Sequence, residues 1–310
     1  MIRCLIIDKI HKRIFEILES AGFQVDYQPK ITREEIIKSI KDYEVLIVRG
    51  KTTIDRQILE NGINLRIVAR AGAGLDILDV DYLKENNIGI INSPEANRDA
   101  VGDQTVGMIL SLLTRLPQAD REVKNGKWLR EENRGYELVN RVVGIIGFGN
   151  MGKALAQRLT GFGCKILVYD KYNSDFGIDY IEECTMDQIF AEADILSLHI
   201  PLTKETNALI TDEFLSKFKK DLFFINTARG QISPMAPIVN ALKSGKLLGV
   251  GLDVLECEDF SKFTETQRKN FDFLAHSDKT LLTPHIGGWS FESYEKISVI
   301  LGTKIVKFMG

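Results

Sequence analysis

Val142-Val143-Gly144-Ile145-Ile146-Gly147-Phe148-Gly149-Asn150-Met151-Gly152 is an apolar run closed by glycines spaced G-x-G-x-x-G. Residues 142–147 read as a buried strand. Residues 151–162, apolar along one face, read as the helix that follows. A glycine turn in that context has a physical use. The first glycine makes the tight turn, the second lets backbone approach a pyrophosphate, and the third lets helix and strand pack closely. Met151 opens the helix, whose first N–H groups and partial positive charge suit a phosphate. Residues 165–170 form the next strand, ending on Asp170, 18 residues beyond Gly152. That is about the spacing of the acid that holds a ribose 2′-hydroxyl, and a carboxylate there repels a 2′-phosphate. The pattern therefore predicts NAD as cofactor in preference to NADP, with the neighbouring Lys171 a minor opposing charge.

Working outward, short apolar runs alternate with longer amphipathic ones. Strands are expected at 4–8, 44–49, 66–70 and 88–92, with helices at 12–21 and 79–87. After the glycine turn, strands are expected at 195–200, 222–226, 248–252 and 280–283, with helices at 186–193, 212–218 and 234–244. Such βαβ alternation implies an α/β fold with mostly parallel sheets covered on both faces. Residues 257–278 are polar and aromatic without clear period, and read as a surface excursion with at most a helical turn or two.

Bulk properties narrow the function. At 310 residues the chain is long enough for two domains. A net charge of -3 argues against nucleic acid and against an anionic membrane surface. No stretch approaches about 20 apolar residues, so no membrane span is expected. The four cysteines, Cys4, Cys164, Cys184 and Cys257, lack C-x-x-C or metal-ligand spacing. Reduced thiols, no metal and a cytoplasmic location are the expectation.

Three separated residues carry candidate chemistry. Arg229 follows the strand at 222–226, His285 follows the strand at 280–283, and Glu258 lies five residues beyond Asp253. Positions just past the carboxyl ends of strands line the ligand crevice of an open α/β sheet. Oxidation of a hydroxy acid needs a base for the hydroxyl proton, and histidine titrates in the right range. It needs a carboxylate to hold the other ring nitrogen, and a guanidinium to bind the substrate carboxylate. Spacing alone leaves a structural histidine and a surface arginine as alternatives. His199, ending the strand at 195–200, reads as structural.

Together, the segment 147–152, Asp170, Asn226-Thr227-Ala228-Arg229-Gly230, Asp253 with Glu258, and Thr283-Pro284-His285 resemble the D-isomer-specific 2-hydroxyacid dehydrogenases over nearly the whole chain. The resemblance implies catalytic roles for Arg229, Glu258 and His285. It implies cofactor contacts at Gly147, Gly149, Asn150, Met151, Gly152, Asp170, Ile200, Thr227, Ala228, Asp253, Gly287 and Gly288. It also implies two doubly wound parallel-sheet domains. A Rossmann cofactor domain, 98–285, is inserted into a flavodoxin-like substrate domain, 1–97 with 286–310. Long helices at 101–115 and 290–308 would link the halves, and a homodimer is implied.

Within the family, the residues are most similar to the short-form branch that oxidises 3-phosphoglycerate, a step toward serine. Arg49, Lys51, Arg70 and Arg130 supply more positive charge than a lactate-sized substrate needs. The turn Ala71-Gly72-Ala73-Gly74 would offer N–H groups to a carboxylate, with Asn97 nearby. This ranks phosphoglycerate ahead of glyoxylate, hydroxypyruvate or D-lactate. A cofactor-sensing corepressor of the same fold is the rival from another class. The chain departs from the family in Leu255-Glu256-Cys257-Glu258, where Glu256 rivals Glu258 as the catalytic acid, and in Gly102-Asp103. With Gly310 as the last residue, the C-terminal regulatory domain of the longer form is not expected.

Overall fold

The computed structural model describes all 310 residues. They divide into two compact units, Met1–Arg98 with Trp289–Gly310, and Asp99–Gly288.

In the first unit the order is β1 (Ile2–Ile6), α1 (Arg13–Ser20), β2 (Phe23–Tyr27), α2 (Arg33–Ser39), β3 (Val45–Val48), α3 (Arg56–Glu60), β4 (Ile67–Arg70), α4 (Val80–Glu85) and β5 (Gly89–Asn92). All strand pairs are parallel, in the order β2-β1-β3-β4-β5. This is the flavodoxin-type doubly wound order. One face of the sheet buries Cys4, Ile6, Val45 and Ile67 against Ile14, Leu18, Leu301 and Ile305. The other buries Leu5, Ile7, Leu46 and Val68 against Ile36, Ile58 and Leu83. Alternate residues of each strand thus enter opposite cores, as the period of 2 requires.

Three elements here escaped the sequence reading. The strand β2 is an edge strand whose burial runs from buried Phe23 to exposed Tyr27, which hides its apolar character. The helix α2 is announced by a capping box, Thr32 with Glu35, and α3 by the Asp55 cap. The first strand also ends two residues earlier than expected. Asp8 leaves the ladder because its carboxylate accepts the backbone N–H groups of Arg49 (2.5 Å) and Gly50 (3.1 Å).

From α5 (Arg98–Leu113) and α6 (Leu116–Lys124), the second unit runs through β6 (Val142–Ile146), α7 (Asn150–Leu159), β7 (Lys165–Tyr169), β8 (Glu182–Glu183), α8 (Met186–Glu192) and β9 (Ile195–Leu198). It continues with α9 (Asp212–Ser216), β10 (Leu222–Asn226), α10 (Met235–Ser244), β11 (Leu247–Leu252), α11 (Glu265–His276) and β12 (Thr280–Leu282). The seven parallel strands lie in the order β12-β11-β10-β9-β6-β7-β8. The order reverses between β6 and β9, the switch point where α/β sheets bind ligands. Phe224, Leu198 and Val250 face the core under α10, while Ile145, Ile195 and Ile225 face that under α5 and α7.

The expectation of an irregular 257–278 segment is corrected by α11, a continuous helix of 12 residues. Thr264 and Gln267 form its capping box, and Leu274 is its one buried residue. A helix so little buried carries almost no hydrophobic period, which is why pattern reading missed it. The last helix, α12 (Phe291–Met309), returns to the first unit and packs on α1. A Cβ on Gly302 would lie 3.1 Å from Ile17. No helix is long and apolar enough to cross a membrane.

Candidate active site

The cofactor cradle of the second unit is built by exclusion of side chains. A Cβ on Gly147 would lie 2.5 Å from the His199 carbonyl oxygen and 2.8 Å from Ile200, and Gly147 has φ +91°. A Cβ on Gly152 would lie 2.1 Å from the Gly147 carbonyl oxygen. Nothing stands within 4 Å of a Cβ at Gly149, so backbone there is open to a ligand. Gly149 caps α7, and Asn150 and Met151 are its first two residues. The residues present fit a pyrophosphate on the helix N-terminus.

Asp170 sits at the end of β7. Its Oδ2 accepts from Phe148 N (2.8 Å), and its Oδ1 accepts from Tyr172 N, Asn173 N and Asn173 Nδ2 (3.0 Å each). Burial pushes the carboxyl pKa up, but these donors outweigh it and hold the pKa below the ordinary carboxylate value. A fixed negative charge with acceptor capacity left on Oδ2 suits a ribose hydroxyl.

Further along the sheet edge, buried Asn226 shapes the Arg229 turn. Its Nδ2 donates to Arg229 O (2.9 Å) and Ser233 Oγ (2.7 Å), and its Oδ1 accepts from Ala228 N (2.9 Å). Thr227 Oγ1 lies 3.3 Å from Thr105 Oγ1. Arg229 is partly buried, with Nη1 donating to Ala228 O (2.7 Å).

His285 and Glu258 meet. His285 Nδ1 lies 2.9 Å and 3.1 Å from the two carboxylate oxygens of Glu258. With Nδ1 so engaged, Nε2 is left as the nitrogen that can take or give a proton. Glu256 is placed otherwise, its Oε2 accepting from Met235 N at the start of α10 (3.2 Å). His285 adopts φ +54°, the left-handed region that a β-carbon disfavours. Buried Asp253 holds it there. Its carbonyl accepts His285 N (2.7 Å), Oδ1 accepts Thr283 Oγ1 (2.6 Å) and Ile286 N (2.9 Å), and Oδ2 accepts Gly287 N (2.8 Å). Expected as a cofactor contact, Asp253 thus has both oxygens occupied by the 283–287 turn. Gly288 ends the unit.

The first unit carries most of the expected substrate residues, and it treats them differently. Arg49 is partly buried, with its guanidinium 4.1 Å from the Trp289 ring centroid and 4.9 Å from that of Tyr294. Lys9, Arg49, Trp289, Ser290, Phe291 and Tyr294 line a pocket of about 340 Å³. Burial holds the Arg49 pKa below the ordinary guanidinium value, against Tyr294 and Asp8. Lys51, expected to meet the substrate, donates from Nζ to Pro29 O (3.0 Å) and Ile31 O (2.9 Å). The Ala71–Gly74 turn uses part of its N–H set internally. Ala71 N donates to Val48 O (2.7 Å) and Gly72 N to Arg70 O (2.9 Å), which leaves the N–H groups of Ala73 and Gly74 for an anion. Arg70 folds over Gly72, where a Cβ would lie 1.7 Å from Nη1. Asn97 Oδ1 is buried without a hydrogen-bond partner. Arg130, in the second unit, is exposed.

Lys9, just past the strand expected at 4–8, and Tyr294, inside the helix expected at 290–308, line the Arg49 pocket and were not singled out in the sequence. Residues 106–287 match the model of the NAD binding domain of D-isomer specific 2-hydroxyacid dehydrogenases. The chain belongs to that family. It is therefore an NAD-dependent oxidoreductase by class. A hydroxypyruvate reductase of Thermotoga maritima is 36% identical over 282 residues, covering 90% of this chain and 89% of the relative. A D-3-phosphoglycerate dehydrogenase of Methanocaldococcus jannaschii is 32% identical over 314 residues, covering 100% of this chain but 58% of the relative. A solved D-lactate dehydrogenase from Aquifex aeolicus, complexed with NAD and lactic acid, superposes with TM-score 0.85 at 26% identity. That match covers 99% of this chain and 95% of the solved one.

Proposed function

We propose that this chain interconverts a D-2-hydroxy acid and its 2-oxo acid, and that its substrate pair is 3-phosphoglycerate and 3-phosphohydroxypyruvate. The second unit is the cofactor domain in this reading, and the first is the substrate domain. The observation that carries the chemistry is the His285–Glu258 pair at 2.9 Å. In the oxidation, Nε2 of His285 takes the C2 hydroxyl proton, and Glu258 stabilises the resulting imidazolium through Nδ1. Arg229 binds the substrate carboxylate and polarises the developing carbonyl oxygen. NAD, when bound, supplies the acceptor for the hydride that leaves C2. Asp253 keeps His285 in its strained turn, a positioning role.

Phosphate as the distal group is supported by Arg49. Its guanidinium lies against the Trp289 and Tyr294 rings, a setting in which a phosphate would meet its N–H edge. A phosphate loses its hydration only where such donors replace it. The second reading is reduction of hydroxypyruvate, favoured by the Thermotoga maritima relative that this chain matches over most of its length. Steady-state kcat/KM for both oxo acids with NADH separates the two. Better use of 3-phosphohydroxypyruvate is expected, and equal or better use of hydroxypyruvate overturns the phosphate reading alone.

The stretch after α5 exposes Leu116 (61%), Val123 (50%), Trp128 (76%) and Val139 (46%). A homodimer formed through this segment would bury that apolar surface. Light scattering is expected to give twice the chain mass, and Trp128→Asp to shift it toward one.

A further inference from the structure

We propose that Glu205 is a positioning residue for cofactor choice, pairing with Lys171 so that this cation is withheld from a 2′-phosphate. The inference rests on Asp170 as the ribose ligand and concerns what surrounds it.

Lys171 directly follows Asp170, so a free ammonium there would stand beside any group on the ribose 2′ position. A lysine is a mobile point charge on a four-carbon stem and would partly cancel the repulsion Asp170 exerts on a phosphate. The structure gives that ammonium an anion of its own. Lys171 Nζ pairs with Glu205 Oε1, and Tyr172 OH donates to the other oxygen, Oε2, at 2.7 Å. Both residues after Asp170 therefore close on one carboxylate.

Glu205 is itself held in place. It lies in the turn after β9, where Thr203 N donates to Thr206 Oγ1 (2.8 Å) and Thr206 Oγ1 donates to Pro201 O (2.6 Å). Asn207 N closes the turn on Thr203 O (3.0 Å). Asp170 is fixed by the Phe148, Tyr172 and Asn173 donors described above. The ammonium is thus drawn to the 205 side of the loop, while the Asp170 charge stays at the strand end. The Lys171 and Glu205 side chains are 53% and 49% exposed, so the pair contributes little to stability. Its effect is on which charge is available to a ligand.

The test measures cofactor binding without turnover, by quenching of NADH and NADPH fluorescence. Wild type, Glu205→Gln, Lys171→Ala, the double variant and Asp170→Ala are compared, with thermal midpoints to confirm folding. Glu205→Gln is expected to tighten NADPH about five- to tenfold and to leave NADH within about twofold. In the Lys171→Ala background, the same substitution is expected to change NADPH binding less than about twofold, the signature of coupling. An unchanged NADPH-to-NADH ratio in Glu205→Gln, while Asp170→Ala shifts that ratio, overturns this proposal and leaves the ribose assignment standing. No shift in either variant overturns both. Equal tightening with and without Lys171 also overturns it, since Glu205 would then act by its own charge. Parallel loss of both cofactors overturns it too, as a purely structural effect of the loop.

Discussion

The two sheets end in edges of different construction. In the second unit, buried Asn226 and Asp253 hold the Arg229 and His285 turns by short polar bonds, and exposed Glu258 pairs with the His285 ring. In the first, Arg49 is held by aromatic faces and Lys51 by backbone carbonyls. Hydrogen bonds fix a group to a few tenths of an ångström, which proton transfer needs. Stacking fixes a guanidinium's plane while leaving its donor edge open, which suits recognition of an anion. Two lysine- or arginine-bearing positions two residues apart, 49 and 51, thus differ in what they can offer a ligand.

The largest test of this comparison lies in the second unit. His285→Ala is expected to lower kcat by about 10²–10⁴-fold with NADH affinity nearly unchanged. Glu258→Gln should act in the same direction, by about 10–100-fold. Glu256→Gln, at the start of α10, should leave kcat near wild type. Steady-state kinetics of the three variants checks the set, and damage confined to Glu256→Gln would reassign the acid.

Next in size is the first unit's edge. Arg49→Ala should cost about 2–4 kcal/mol in kcat/KM for 3-phosphohydroxypyruvate, and little for hydroxypyruvate. Lys51→Ala should instead lower stability by about 1 kcal/mol and touch both substrates alike. A phosphate-selective loss in Lys51→Ala would erase the distinction drawn between the two residues.

A third effect is in stability. Burial pushes the His199 pKa down to about 4 from an ordinary 6.5, and its ring lies 2.8 Å from Ser197 Oγ. The folded chain keeps this imidazole neutral, while the unfolded chain takes up a proton below pH 6.5. Its contribution to stability is therefore complete above pH 6.5 and falls away as the pH drops toward 4. Between pH 7.5 and 5 that loss is about 2 kcal/mol. Urea titrations at the two pH values should show it, and His199→Asn should flatten the difference. A slope that survives the substitution would assign the acid sensitivity elsewhere.

The smallest expected effect is on the stacked guanidinium. Trp289→Ala should weaken the phosphorylated substrate by about 0.5–2 kcal/mol through KM, with kcat retained. A drop in kcat with unchanged KM would place Trp289 in the chemistry and blur the comparison.

Legibility in the sequence followed the same divide. The strands β6 and β10, the glycine cradle and the acid ending β7 were readable, because each couples a local backbone need to a residue type. The edge strand β2 and the helices α2, α3 and α11 were not. Their apolar period is weak, although capping boxes at Thr32 and Thr264 mark two of the starts. The choice between Glu256 and Glu258 was open in sequence, since both lie in one short acidic run.

What the sequence determined by itself is therefore local: a buried strand, a turn that only glycine can make, and a carboxylate at a set distance along the chain. What the tertiary structure decided is pairing: Glu258 on His285, Glu256 on α10, Lys51 on the Pro29 and Ile31 carbonyls, Arg49 between Trp289 and Tyr294. Covalent spacing sets which residues share a turn, but a partner 240 residues away, as Trp289 is from Arg49, is chosen only by how the strands and helices pack.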